Sequence, residues 1–231
     1  MNKNLIFTAT YNEYPVIKLF IKEILKLKIN FDLLIIDDNS NDGTLNYLIN
    51  ISKKHKFLKL IIREKKMGLN TAHLMAFDYA IKNKYKKLVT MDADLSHDPK
   101  MIPKFIKILD KKDFVIGSRY AIGGSCGLTG YRYFLSFYGN KFIKYILKIN
   151  SNEFTTSFRG FDILKFSNIN FNKINSKGYS FFMESIFFIN KHKIPIYEIP
   201  INFEDRTSGK SKLAKYEIIR TLFNLLRLKF F

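Results

Sequence analysis

Leu88-Val89-Thr90-Met91-Asp92-Ala93-Asp94 is the stretch on which the reading of this chain turns. A run of buried-strand character ends on two carboxylates separated by one small residue. In extended backbone, side chains two positions apart leave the same side of the chain, so Asp92 and Asp94 stand together where the strand runs out. Oxygen ligands placed this way can hold a divalent cation against a diphosphate. Acidic pairs also cap helices and solvate loops, so the pair takes its meaning from the segments around it.

Outward from that stretch, short apolar runs alternate with segments of helical period up to about residue 118. Strands are expected near Leu5 to Ala9, Leu33 to Asp37, Leu58 to Arg63, Lys87 to Met91 and Phe114 to Ser118. Helical spacing covers Val16 to Leu27, Thr44 to Lys56, Leu69 to Asn83 and Lys100 to Leu109. Pro15 at a first-turn position, the cap Asn41-Asp42-Gly43-Thr44 and Asp98-Pro99 mark helix starts. This alternation predicts an α/β fold with a mostly parallel central sheet flanked by helices. Open sheets of that kind bind ligands outside the carboxyl ends of their strands, and Tyr11, Asp38, Asp92 and Arg119 all fall there.

The 231 residues, 47% of them hydrophobic, suffice for one large domain or a domain with an appendage. Cys126 is alone and allows no internal disulfide, which makes a cytosolic setting the default. Met1 to Glu13 lacks the apolar stretch and small-residue cleavage site of a signal peptide. No apolar run reaches the roughly 20 residues that a membrane-spanning helix needs. With 39 basic against 20 acidic side chains, the net charge of +19 calls for something anionic: nucleic acid, lipid headgroups or a phosphorylated substrate. Part of that excess is compositional, because Lys, Asn, Ile and Phe are frequent throughout. A nucleic-acid-binding protein should show clustered basic residues on a docking motif. Here lysines are spread over helices while acidic loops gather at the ligand edge, so no nucleic-acid partner is expected.

Beyond residue 120 the pattern changes. A loop with Gly123, Gly124 and Gly127 precedes a helical stretch in which Phe134, Phe137, Tyr138, Phe142 and Tyr145 are interrupted by Lys141, Lys144 and Lys148. The last segment, Leu213 to Phe231, mixes Ile219, Leu222, Phe223, Leu226 and Phe230 with Lys215, Arg220, Arg227 and Lys229. Large apolar area with basic anchors suits a helix lying in a membrane interface; a core helix is the alternative for the first, and a partner subunit for the second. The organisation expected is a catalytic domain over residues 1–211 and an amphipathic membrane- or partner-binding helix over 212–231.

Asp37-Asp38-Asn39-Ser40 with Asp42-Gly43-Thr44 puts carboxylates and amides at the second strand-to-helix turn, where they can meet base or ribose donors or simply close an Asx-type turn. Together with Thr10-Tyr11-Asn12-Glu13 and Asp92-Ala93-Asp94, three acidic loops converge at one end of one sheet. Over nearly its whole length the chain resembles the inverting nucleotide-diphosphosugar glycosyltransferases, and within them the polyprenyl-phosphate group typified by dolichol-phosphate mannose synthases. The resemblance also rests on Gly68-Leu69-Asn70-Thr71-Ala72, Leu95-Ser96-His97-Asp98-Pro99, Gly117-Ser118-Arg119-Tyr120 and Ser157-Phe158-Arg159. It continues through Gly178-Tyr179-Ser180-Phe181-Phe182-Met183-Glu184 and Arg206-Thr207-Ser208-Gly209-Lys210-Ser211-Lys212.

That resemblance implies a GT-A type fold and transfer of mannose from GDP-mannose to a membrane polyprenyl phosphate. A UDP-glucose-dependent glucosyltransferase is the alternative within the group. It implies Mg²⁺ or Mn²⁺ on Asp92 and Asp94 with Ser96 as a further ligand, Ser standing where many members carry Gln. The donor would lie on Ala9, Tyr11, Glu13, Ile36, Asp38, Ala93, Arg119, Arg206 and Lys212, with Asp92, Asp94 and Arg119 catalytic; the family usually has Pro at Ala9. Arg132, Ser157 and Arg159 would take the acceptor phosphate, with pairing to Asp162 or Glu153 in the scaffold as the alternative for Arg159. Where members read Asp-Leu-Thr-Gly before Ser157, this chain has Glu153-Phe154-Thr155-Thr156. The partners implied are a nucleotide sugar, the lipid, a membrane surface and a small hydrophobic subunit, with the chain peripheral on the cytosolic face. His97 and Glu184 are read as structural groups.

Overall fold

The computed structural model describes residues 3–205 and 215–230, with the side chains of 215–217 left aside. Five βα-type strands come first: β1 (Asn4–Thr10), β2 (Asp32–Asp37), β3 (Leu58–Ile62), β4 (Lys87–Thr90) and β5 (Phe114–Ser118). Helices α1 (Tyr14–Leu25), α2 (Thr44–Lys54), α3 (Leu69–Lys82) and α4 (Ile102–Ile108) separate them. All nine fall within two residues of the expected spans, and the first turn of the α4 region, Pro99–Met101, is a 3₁₀ turn.

The second half is less regular: β6 (Ser125–Cys126), α5 (Gly130–Leu147), β7 (Arg159–Asp162), α6 (Ile163–Phe166), α7 (Tyr179–Lys191), β8 (Ile196–Pro200), β9 (Asn202–Phe203) and α8 (Lys215–Lys229). Seven strands form one sheet in the order β3-β2-β1-β4-β7-β5-β8. All neighbours are parallel except β7, which runs antiparallel between β4 and β5. Strands buried on both faces read as continuous apolar runs, and the pleat sorts their residues. Leu5, Phe7, Leu34 and Ile36 join a core with α3 and α7, whereas Ile6, Leu33 and Ile35 join one with α1 and α4.

The inserted strand positions the site. Parallel strands deliver their C-terminal ends to one edge, and an antiparallel strand brings its N-terminal end to that same edge. Residues 153–158, which lead into β7, therefore lie beside the ends of β4 and β5. β7 carries Gly160 because a Cβ there would meet Leu109 Cδ1 of the α4 layer at 2.9 Å.

α8 packs on α5 and α7 rather than standing apart. Leu225 and Leu228 are buried, and Arg227 pairs with Glu184 of α7 at 2.8 Å. Its other side exposes Ile219, Leu222, Phe223, Leu226 and Phe230, and α5 exposes Tyr131, Phe134, Tyr138, Phe142 and Tyr145. Among the described residues no helix is long and apolar enough to cross a membrane.

Candidate active site

The first two loops are stitched together by short polar side chains. Asp37 is fully buried and accepts from Thr10 Oγ1 at 2.7 Å, Ser40 N at 2.8 Å and Ser40 Oγ at 2.7 Å. Asn12 N–H donates to Ser40 Oγ, and Asn41 N–H donates back to Asn12 Oδ1. Asp42 takes Tyr14 N–H and both donors of Thr44. Asn12 and Asn39 adopt positive φ of 56° and 59°, which asparagine tolerates better than most residues.

Asp38 lies above this scaffold, and its carboxylate pairs with Arg63, which also donates to Thr71 Oγ1 and the Gly68 carbonyl. Sequence reading passed over Arg63, although it follows β3 at the same sheet edge as Asp38 and Asp92. Tyr11 carries Lys66 over its ring at 4.3 Å, and the main-chain N–H of Glu13 donates to Thr44 Oγ1. Ala9 is half-buried against the core. Ile36, expected to touch the donor, is fully enclosed in the core, and this corrects that expectation: it is the floor beneath Asp37 and Asp38, not a contact surface.

At the end of β4 the chain turns sharply. Asp94 Oδ1 accepts from Ser96 N at 3.0 Å and Ser96 Oγ at 2.6 Å, and Leu95 between them is held at φ 61°. A branched residue in the left-handed region is held there by its surroundings. Ser96 thus buttresses Asp94 through its hydroxyl hydrogen. Ala93 is buried, and a larger side chain would press into the core. The side chain of Asp92 keeps 29% of its surface exposed, whereas Asp94 as a residue keeps 6%. Among the described residues no three His, Cys, Asp or Glu side chains gather into a metal cage. An oxygen-only pair of carboxylates suits Mg²⁺ or Mn²⁺, hard cations that fill their shells with water and substrate phosphate, so the donor set fits such an ion.

On the other side of the edge, Arg119 is 8% exposed and locked to Glu153, with Nε to Oε2 and Nη2 to Oε1 both at 2.7 Å; Nη2 also donates to Thr155 Oγ1. Burial opposes ionisation of Glu153, but the Arg119 charge and its hydrogen bonds outweigh it, holding the carboxyl below its ordinary range. From the sequence Glu153 is a departure from the family pattern and an alternative partner for Arg159; the structure pairs it with Arg119 instead. Arg132, on α5, forms a bidentate pair with Asp205 at 2.7 and 3.2 Å. Ser157 is buried, and its hydroxyl has no hydrogen-bond partner among the described residues.

Arg159 does not reach the cleft. It is 2% exposed and donates to the carbonyls of Thr156, Phe154 and Phe182 and to Ser185 Oγ, so its expected part in holding an acceptor phosphate is corrected to a scaffold role. Arg206 and Lys212 lie outside the described residues. The chain reaches that boundary next to the acidic loop, where Glu204 N–H donates to the Ser96 carbonyl and His97 bridges Phe203.

A doubly wound half-sheet, two acidic loops and a turn bearing paired carboxylates at one edge invite comparison with known proteins. The model of the family described as "Glycosyl transferase family 2" matches residues 5–168. The chain belongs to glycosyl transferase family 2. This family 2 chain is 29% identical over 224 residues to the undecaprenyl-phosphate mannosyltransferase of Micrococcus luteus, covering 96% of this chain and 92% of that one. Among solved structures, glucosyl-3-phosphoglycerate synthase from Mycobacterium tuberculosis, in complex with Mn²⁺, UDP and glucosyl-3-phosphoglycerate, superposes with a TM-score of 0.69 at 12% identity. That alignment covers 98% of this chain and 80% of the other. A mannosyltransferase from Pyrobaculum calidifontis in complex with GDP-Man and Mn²⁺ gives 0.61 at 15% identity, covering 97% and 62%. These two establish the GT-A-like fold.

Proposed function

We propose that this glycosyltransferase moves mannose from GDP-mannose to the phosphate of a membrane polyprenyl phosphate, with inversion and with Mg²⁺ or Mn²⁺ bound. The near full-length likeness to an undecaprenyl-phosphate mannosyltransferase carries the reading. The acidic turn at residues 92–96 and the arginines facing it supply the chemistry.

Asp92 and Asp94, with Ser96 bracing Asp94, are the residues that would hold the cation beside the donor diphosphate. When bound, it supplies positive charge to the departing nucleoside diphosphate. The nucleoside would lie over Tyr11, Glu13 and Asp38, with Arg63 fixing the Asp38 carboxylate. The attacking group is a phosphate monoester whose second pKa is about 6, so it arrives already anionic and needs no strong base. What it needs is alignment. Arg119, held by Glu153, and Arg132, held by Asp205, are set to orient it, and Arg206 and Lys212 are the further cations assigned to the phosphates.

The acceptor's hydrocarbon tail stays in lipid, so the enzyme docks peripherally on the cytosolic face of a membrane. The exposed aromatic and aliphatic faces of α5 and α8, flanked by Lys141, Lys144, Arg220 and Lys229, suit an anionic surface. Cutting α8 away would open the core at Leu225 and Leu228, so the test is made on the surface instead. Phe223→Ser with Phe230→Ser, at positions 70% and 83% exposed, should weaken binding to anionic vesicles by about tenfold or more while leaving thermal stability in place. Undiminished binding at moderate salt would assign the face to a hydrophobic partner subunit instead.

The donor is tested by incubating the chain with polyprenyl phosphate, Mn²⁺ and either GDP-mannose or UDP-glucose. Label is expected in the lipid extract from GDP-mannose alone; label from UDP-glucose alone would overturn the donor assignment.

A further inference from the structure

Residues 153–157, the strap that leads into β7, touch both the end of β4 with its metal turn and Arg119 beyond β5. Glu153 and Thr155 hold Arg119, and the Ser157 carbonyl accepts from Thr90 Oγ1 at 2.5 Å. Thr156 Oγ1 lies 3.2 Å from Nε2 of His97. With its other nitrogen His97 faces the end of β4: the Asp92 N–H points at Nδ1 across 3.4 Å, while Asp92 Oδ2 stands 4.0 Å away. A ring nitrogen that accepts from a main-chain N–H carries no proton of its own, so the imidazole proton sits on Nε2 and is donated to Thr156.

His97 is 1% exposed and lies against Phe158 and Phe203, with ring centroids 5.2 and 5.6 Å away. Burial lowers its pKa against the opposing pull of Asp92 and Asp94.

We propose that His97 is a positioning residue: together with Thr156 it fixes the backbone at Asp92, so that this carboxylate meets the divalent cation of the donor diphosphate in one orientation. The inference rests on the metal-dependent reading above and extends it to a residue that neither supplies a ligand nor touches a substrate. It also makes one strap responsible for both sides of the cleft, since the segment that orients Arg119 is the one that anchors the metal turn.

The test compares three variants of the whole chain. His97→Phe fills the same space but offers Asp92 N–H no acceptor. His97→Asn restores an acceptor near the place of Nδ1, and Thr156→Val removes the support at Nε2. Mn²⁺ affinity in the presence of GDP, and in parallel UDP, is read from loss of the free-ion electron paramagnetic resonance signal. Outer-shell partners of a metal site are typically worth about 10- to 100-fold in affinity. H97F is therefore expected to bind Mn²⁺ about tenfold more weakly or worse. H97N should recover most of that loss, and T156V should weaken binding in the same direction by a smaller factor. Original affinity in a folded H97F overturns the proposal, as does equal weakening in H97F and H97N, which would make the ring a space-filler. If H97F does not fold, original affinity in T156V overturns it. Should the unaltered chain take up Mn²⁺ with neither nucleotide, the metal-dependent reading fails and this inference falls with it, a result separable from normal uptake that is indifferent to His97.

Discussion

The two sides of the cleft are held together differently. On the donor side, three carboxylates each have a partner almost next to them in the chain, Asp37 with Ser40, Asp42 with Thr44 and Asp94 with Ser96, and longer ties from Thr10, Tyr14 and Arg63 then join the turns. On the acceptor side, both arginines are held from far away in the chain, Arg119 by Glu153 and Arg132 by Asp205. Short polar side chains bonding their own backbone neighbourhood make a turn that forms locally. Long guanidinium groups need a folded core to deliver their partners. Each donor-side turn therefore closes on its own neighbours before longer ties join it to the rest, whereas Arg119 is held only once the segment leading into the antiparallel strand β7 is in place.

The largest expected effect concerns the turn that chemistry uses directly. Asp94→Asn keeps the shape of the side chain and its capacity to accept from Ser96, yet it removes the charge opposite the cation. Transfer should fall by roughly 100-fold or more, the range seen when one electrostatic contribution to a transition state is lost. The thermal midpoint should hardly move. A variant with unchanged metal-dependent turnover would dissolve the donor-side assignment.

Next in size is the long-range pair. Glu153→Ala leaves the guanidinium of Arg119 buried without its counter-charge, and breaking a buried pair from one side costs about 3–5 kcal/mol. Urea unfolding would measure it, and a loss below about 1 kcal/mol would show that the acceptor side does not depend on this contact. The pH dependence has a definite sign. Because the folded-state pKa of Glu153 is depressed from its ordinary 4.5, its contribution is complete above that value and is lost as pH falls through the folded pKa. Replacing Glu153 by Gln should remove this acid-limb step, leaving a flatter stability profile below pH 4.5 than that of the unaltered chain.

This contrast also sets what could be read from the amino-acid order alone. The five parallel strands and four helices of the first half declare themselves by apolar period and caps, and the acidic turns by spacing. β7 does not: Arg159-Gly160-Phe161-Asp162 has neither strand length nor alternation, and its Arg and Gly are explained only by carbonyls of α7 and the crowding of Leu109. β8 carries no strand expectation either: prolines at 195 and 200 bracket it, and an edge strand tolerates what a central one does not. Arg159 looked like an acceptor ligand because its motif could be matched but its burial could not be seen. Arg63 and the contact of His97 with Thr156 were missed for the same reason, and Glu153 was matched to Arg159 rather than to Arg119, since each acquires its role from a partner brought in by the fold.

The smallest effect probes whether donor-side turns are cheap to damage singly. Ser40 Oγ donates to Asp37 Oδ2 and accepts from Asn12 N–H, while Ser40 N–H separately holds Asp37 Oδ1. Ser40→Ala removes the hydroxyl and leaves the main-chain bond. The expected loss is about 2 kcal/mol, two hydrogen bonds at a usual net worth of about 1 kcal/mol each, or a fall of about 4–8 °C in midpoint for a chain of this size. Because the Asn12 loop loses one of its ties to the second turn and keeps the one from Asn41, KM for the nucleotide sugar should rise by a small factor while kcat stays near its original value. A loss as large as that of Glu153→Ala would mean that the donor turns are as dependent on long-range packing as the arginines, and the distinction between the two sides of the cleft would disappear.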